Sequence, residues 1–211
     1  MQDDIRPSLR GRFNAWFLAR LDDFMHEAFG ERKRRLLAAL PSSLVELGPG
    51  AGANFRYYPA GTRVVAVEPN PAMHAPLRAA AERRGLALEI HGIRGESIDL
   101  PDACTDLVVS TLVLCSVDDP GQVVREAYRL LRPGGRLVFL EHVAAPSGTA
   151  LRGLQALVRA PWRWLFEGCT TDRETWRTLE TAGFSRLELE HFRLRGAFPH
   201  VSPQIAGSAT K

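Results

Sequence analysis

From residue 43 to residue 143 short apolar runs alternate with longer segments, several of which have helical features. The runs are SLVEL (43–47), TRVVAVEPN (62–70), LALEIHG (86–92), TDLVVSTLVL (105–114) and RLVFLEHV (136–143). Parallel strands need a crossover between them, and a helix is the usual one. Strands alternating with helices therefore predict a parallel sheet covered on both faces. The fourth run is almost entirely apolar, as a strand buried on both faces must be. Two further segments, SRLELEHFRLR (185–195) and residues 204–210, predict an antiparallel C-terminal hairpin. The sum is an α/β fold with a doubly wound, seven-stranded sheet.

Local punctuation supports the segment borders. Asn70 and Pro71 form a helix start, and Gly85 lies past that helix's end. Residues 119–131 read as an amphipathic helix closed by RPGG, and Thr171 with Glu174 reads as a capping box for a helix over 171–184. At the N-terminus, Phe13, Trp16, Phe17, Leu21, Phe24, Met25 and Phe29 recur at helical spacing, which predicts a helix over 12–40. A length of 211 residues suits one domain: a helical cap (1–40), a ligand-binding core (42–142) and a lid or substrate-side insertion (144–170).

The bulk numbers exclude several classes. A net charge of +3 and mixed acids and bases give no nucleic-acid footprint. The basic run ERKRR (31–35) reads as a solvated helix face, with anionic lipid or substrate steering as the sharper option. Cys104, Cys115 and Cys169 share no metal-ligand spacing, so free thiols in a reducing, cytoplasmic setting are expected. No signal peptide and no membrane span are predicted. Heavy use of Ala, Arg and Leu points to a GC-rich bacterial source.

The loop GPGAGAN (48–54) follows the first strand, at the edge where such sheets bind ligands. Taken alone it also satisfies the dinucleotide pattern, and it is not a Walker loop, because no Gly-Lys-Ser/Thr follows. Three features favour S-adenosylmethionine. Glu46, two residues before Gly48, suits an ammonium group and would repel a pyrophosphate. Glu68 ends the second strand, where a carboxylate accepts ribose hydroxyls. Glu96 and Ser97 follow the third strand, where an adenine edge would lie.

The segments ELGPGAG, VAVEPN, GESIDLPDACTDLVV and LLRPGGRLVFLE resemble, in order and spacing, the signatures of the Rossmann-like class I S-adenosylmethionine-dependent methyltransferases. That resemblance implies that Glu46, Gly48, Gly50 and Gly52 hold the methionine part, and that Glu68 holds the ribose. Glu96 and Ser97 would face adenine, Thr111 and Leu112 the methionine end, and Asn54 and Pro69 complete the set. GANFRYYP, TLVLCSV, FLEHVAAP, FEGCTTDRETWRTLE and AGFSRLELE resemble more narrowly the methyltransferase-like 7 family, animal alkyl-thiol S-methyltransferases. Those proteins carry an apolar anchoring segment, whereas Arg20, Asp22, Asp23 and His26 interrupt the helix here. Peripheral membrane contact stays open.

The resemblance implies a small-molecule thiol or sulfide acceptor, with oxygen or nitrogen acceptors as the alternative. A nicotinamide-dependent oxidoreductase and a non-catalytic cofactor-binding partner are the rivals from other classes. A soft sulfur nucleophile needs little base, so no metal is expected. Glu141 and His142 are adjacent on a strand and point to opposite faces. His142, at the carboxyl end of its strand, is the candidate catalytic base or substrate contact. Trp16, Tyr57, Tyr58, Cys115 and Trp164 are the expected acceptor pocket, within an aromatic set that includes Phe17, Trp162 and Phe166. Cys169 reads as packing or lid. Arg163 and Arg173 would answer an anionic substrate or stay solvated.

Overall fold

The computed structural model describes residues 11, 16, 20, 22–194 and 198–211. Seven strands form one sheet in the order β3-β2-β1-β4-β5-β7-β6. They are β1 (Ser43–Leu47), β2 (Arg63–Val67), β3 (Ala87–His91), β4 (Thr105–Thr111), β5 (Leu131–His142), β6 (Arg186–Arg193) and β7 (Pro203–Thr210). The first five pair in parallel, and β7 pairs antiparallel with both β5 and β6. The helices are α1 (Asp22–Leu36), α2 (Pro71–Arg84), α3 (Pro120–Leu130), α4 (Ala150–Leu165) and α5 (Thr175–Glu180).

The central strands bury both faces. Val45, Leu47, Val65, Val67 and Val108 pack with Val123, Leu130 and Leu179 on one side. Leu44, Val64, Ala66, Leu107 and Val109 pack with Phe55, Leu77 and Ala80 on the other. A period of two sends successive side chains to opposite faces, so the near-continuous apolar runs are what two covered faces require. The order reverses between β1 and β4, and this places the glycine loop at the switch point.

The start of α2 matches its sequence signals: Asn70 Oδ1 accepts from Ala72 N at 3.0 Å, and Gly85 takes φ +64°. The segment 144–170 does contain an extra helix, α4, whose N-cap Thr149 accepts from Arg152 N. Two expectations need correction. The helix expected from 171 begins at Thr175, because Thr171 is fully buried and donates to Gln155 O at 2.8 Å. That bond holds the Thr171 side chain toward Gln155 on α4. The fourth strand stops at Thr111 rather than 114, because Leu112 turns into the left-handed region at φ +59°. The expected contributions of Phe13, Phe17 and Leu21 to the N-terminal helix lie outside the described residues.

Candidate active site

A cavity of about 640 Å³ opens at the carboxyl ends of the parallel strands. Its wall has a polar half and an apolar half. The polar half holds Gly48, Gly50, Glu68, Asn70, Glu96 and Asp118. The apolar half holds Phe24, Met25 and Phe29 of α1, Trp162 of α4, and Phe166 and Phe198.

The polar half is built by short links between loops. Glu68, nearly buried, accepts Gly50 N on Oε2 at 3.0 Å and Asn70 N on Oε1 at 2.9 Å. Each oxygen keeps an acceptor site facing the cavity wall. Burial raises the Glu68 pKa, and the two backbone donors counter that in part. Gly48 and Gly50 both have positive φ. A Cβ on Gly48 would strike Val113 Cγ2 at 2.7 Å, whereas one on Gly50 meets nothing within 4 Å. Glu96 accepts Asp118 N at 2.9 Å and so ties the loop after β3 to the loop after β4.

Several expected site residues stand elsewhere. Glu46 is 1% exposed and does not line the cavity. It shares a strand face with Leu44, so it points under the glycine loop rather than over the strand end. There Asn54 Nδ2 donates to Oε1 and the Tyr58 hydroxyl to Oε2, each at 2.7 Å. Asn54 Nδ2 also donates to Thr111 Oγ1 at 2.9 Å. Thus Glu46, Asn54, Tyr58 and Thr111 form a buried support that joins β1, the glycine loop and β4. Gly52 belongs to the same layer: a Cβ on it would press Phe55 at 2.9 Å. Ser97 is exposed and off the wall, because its chain turns outward, while Pro69 and Leu112 line the cavity. Trp16 and Trp164 are 56% and 65% exposed, and Tyr57 bonds with His26 at 2.7 Å outside the cavity. Helical geometry explains the swap on α4: Trp162 faces in, so Trp164, two positions on, faces away.

Burial is the largest influence on Glu46 and raises its pKa to about 7. The folded chain then keeps a proton that the unfolded chain releases near 4.5. The sign follows: this group's stabilisation is complete below about pH 4.5 and is lost as pH rises through about 7. The loss approaches about 3 kcal/mol. Glu68 and Glu141 shift in the same direction. Glu46→Gln is therefore expected to reduce the fall in melting temperature between about pH 5 and pH 7.5. Thermal melts of both proteins test this, and parallel curves would overturn it.

The other catalytic candidates gather at the far side. Glu141 and His142 do diverge: Glu141 Oε1 accepts from Ser110 Oγ, Val113 N and Leu114 N, and so pins the turn after β4. Arg173 is committed to the same turn, donating to Leu114 O at 2.6 Å and Val117 O at 2.8 Å. It is therefore a structural clamp rather than a substrate anchor. Nothing in the spacing of Glu141 or Arg173 marks them, because most of their partners are backbone atoms brought close by the crossover.

His142 lines the cavity with Cys115 and Cys169. Its Nε2 lies 3.0 Å from Cys169 Sγ. Trp162 Nε1 donates to the same sulfur at 3.2 Å, and Cys115 Sγ approaches it at 3.8 Å. The Cys115 contact, with help from His142 and Trp162, pulls the Cys169 thiol well below its ordinary range, while Cys115 is pushed up. Burial alone would lower His142, but the Cys169 sulfur and Glu141 beside it raise it. The sequence shows no ligand spacing for these three, yet the fold brings their donor atoms within 4.8 Å of one another. Cys169 thus lines the cavity beside Cys115 and His142.

With this geometry in view, the relatives decide the family. Human TMT1A, named a thiol S-methyltransferase, is 41% identical over 207 residues, covering 93% of this chain and 85% of its own. The chain belongs to the methyltransferase family that contains TMT1A. Human TMT1B, also named a thiol S-methyltransferase, is 40% identical over 91% of this methyltransferase and 80% of itself. The family described as "Methyltransferase domain" matches residues 45–139, the stretch that carries the glycine loop and Glu68. Among solved structures, a SAM-dependent methyltransferase from Thermotoga maritima, titled a possible histamine N-methyltransferase, superposes with TM-score 0.65. It is 19% identical and covers 96% of this chain and 99% of its own. The [4+2]-cyclase SpnF superposes at 0.66 with 18% identity, over 91% of this chain and 80% of its own. At such identities the likeness shows the Rossmann-like fold alone. Among the described residues, no helix of this methyltransferase is long and apolar enough to cross a membrane.

Proposed function

We propose that this methyltransferase carries a methyl group from S-adenosylmethionine to the sulfur of a small lipophilic thiol. One observation carries the reading: a glycine-and-carboxylate cradle runs directly into an aromatic chamber along one continuous cavity wall. The residues suit the donor. Gly50 offers open space where a Cβ would sit, and Glu68 presents acceptor capacity to a diol while its backbone donors hold it still. Glu96 stands where an adenine edge would rest, and Leu112 closes the methionine end. When bound, S-adenosylmethionine supplies an electrophilic methyl group on its sulfonium.

The chain's own part is position and dryness. The support of Glu46, Asn54 and Tyr58 keeps the glycine loop in one shape. Phe24, Phe29, Trp162 and Phe166 favour an apolar acceptor and exclude water from the transfer. A thiol with a pKa of about 8.5 is already roughly 3% thiolate at pH 7, so the nucleophile needs little base strength from the wall. The identity to proteins named thiol S-methyltransferases supports sulfur over oxygen or nitrogen. Three free cysteines suit a reducing setting, and we place the enzyme in the cytoplasm.

The test is release of S-adenosylhomocysteine with hydrogen sulfide, a short alkyl thiol, a catechol and a primary amine in parallel. Methylated product is followed by mass spectrometry. Turnover on the two sulfur acceptors is expected, with the catechol and amine at least about 100-fold slower. Turnover confined to the catechol or the amine would overturn the thiol reading.

A further inference from the structure

Cys115, His142 and Cys169 are spread over 54 positions of sequence and come from three different elements. Cys115 follows β4, His142 ends β5 and Cys169 follows α4. All three are buried, and all three face the acceptor side of the cavity. Their three donor atoms lie within 4.8 Å of one another, and two of the three distances can be set against what one tetrahedral ion needs. Zinc at about 2.3 Å from sulfur and about 2.0–2.1 Å from nitrogen sets its ligands roughly 3.6–3.8 Å apart. The two sulfurs already stand 3.8 Å apart. His142 Nε2, 3.0 Å from Cys169 Sγ, has to withdraw by about half an ångström to fit.

The donor set narrows the ion. Two thiols and an imidazole are soft-to-borderline ligands that select zinc and exclude magnesium or calcium, which take oxygen. Two thiolates also neutralise a divalent charge inside an apolar wall, which removes most of the cost of burying the ion. Trp162 Nε1–H already donates to Cys169 Sγ, the outer contact that steadies a ligating sulfur. Among the described residues His142 Nδ1 has no hydrogen-bond partner, so none of them steadies the imidazole from behind. Three protein ligands leave a tetrahedral ion one open position, the arrangement of reactive rather than structural zinc sites. All three ligands line the cavity, where an acceptor enters.

We propose that Cys115, His142 and Cys169 bind a zinc ion whose fourth ligand is the sulfur of the methyl acceptor. The fourth ligand rests on the thiol reading above; the three protein ligands do not. Loading the metal releases two protons, one from Cys115 and one held by the Cys169–His142 pair. When the acceptor binds, its S–H bond breaks and its sulfur displaces the water that fills the fourth position, so an S–Zn bond replaces a Zn–O bond and the proton passes to solvent. Methylation then replaces the S–Zn bond with an S–CH3 bond, as the methyl's bond to the donor sulfonium breaks and its electron pair stays on that sulfur. The product is a neutral thioether, a weaker ligand than a thiolate, so it leaves and frees the position. Zinc thus supplies a nucleophile at neutral pH, where a free alkyl thiol is mostly protonated.

The experiment measures metal first and activity second. Full-length protein, purified anaerobically without chelator, is expected to carry one zinc per chain by plasma mass spectrometry. A C115S/C169S double variant is expected to carry none, while circular dichroism and calorimetry show it folded and binding S-adenosylhomocysteine. Cobalt(II) loading is expected to give thiolate-to-metal charge-transfer absorption that grows by about half on adding a short alkyl thiol, as sulfur ligands rise from two to three. A chelator-stripped protein is expected to lose at least about tenfold in thiol turnover and to recover it with zinc. Undiminished thiol turnover by folded, metal-free protein would overturn the zinc site and leave the methyltransferase reading standing. A cobalt spectrum unmoved by thiol would overturn the fourth ligand. A Cys115–Cys169 disulfide in the anaerobic protein would overturn the site, because it consumes both sulfurs. Metal bound at this site with turnover on the amine alone would overturn the thiol reading and the fourth ligand with it.

Discussion

Glu68→Ala is expected to weaken S-adenosylhomocysteine binding by at least about 100-fold in calorimetry. Two ribose hydroxyls would lose a charged acceptor inside a closed cleft, and each such loss costs roughly 1.5–3 kcal/mol. The same change frees Gly50 N and Asn70 N, which Glu68 now holds at 3.0 and 2.9 Å. The loop and the start of α2 would then lose their shared anchor. Glu68→Gln keeps the shape and one acceptor oxygen, so it is expected to fall between the two, at about tenfold. A Glu68→Ala affinity within about threefold of wild type would remove the carboxylate from the cofactor cradle.

Gly50→Val is expected to weaken binding by a different route, and Gly134→Val is its control. Both glycines have positive φ, +58° and +80°, and a Cβ on either meets nothing within 4 Å. Each substitution therefore carries the same kind of backbone strain, on the order of 1–2 kcal/mol, and lowers the melting temperature by a few degrees. Only Gly50 lies on the cavity wall. Its valine side chain fills space that the donor would occupy, whereas Gly134 sits in the turn before the regular part of β5, bonded to Lys211 O. Affinity is expected to drop on the order of 100-fold for Gly50→Val and to stay unchanged for Gly134→Val. Equal affinities for the two variants would show that strain, not occupancy, is what the glycine loop relieves.

Much of the fold was legible because its signals are local. The start of α2 needs only Asn70, Pro71 and Gly85, which act on their own neighbours through hydrogen bonds and allowed φ values. The five parallel strands follow from their apolar runs, and both faces of β1, β2, β4 and β5 are covered. Glu68 was legible because its distance from the glycine loop is set by one strand-helix-strand unit. Where a long-range partner competes, local reading fails. Thr171 has the form of an N-cap, but Gln155 O takes its hydroxyl. Glu46 sits at the right height on β1, but its face of the strand leads to Asn54 and Tyr58.

The acceptor side divides most sharply between the two sources. By itself the sequence determined the strand order's raw material, the glycine loop, the carboxylate Glu68 at the end of the second strand and the helical spacing of the N-terminal aromatics. All of these are one-dimensional properties, carried by residues a few positions apart. Only the tertiary structure decided which aromatics face the cavity, turning Trp162 inward and Trp164 to solvent. It alone brought Cys115, His142 and Cys169 within 4.8 Å, from positions that share no spacing pattern. The physical reason is that a site of this kind forms where separate strand ends converge on a sheet edge. That convergence is a property of the packed crossovers, which no local stretch of chain contains.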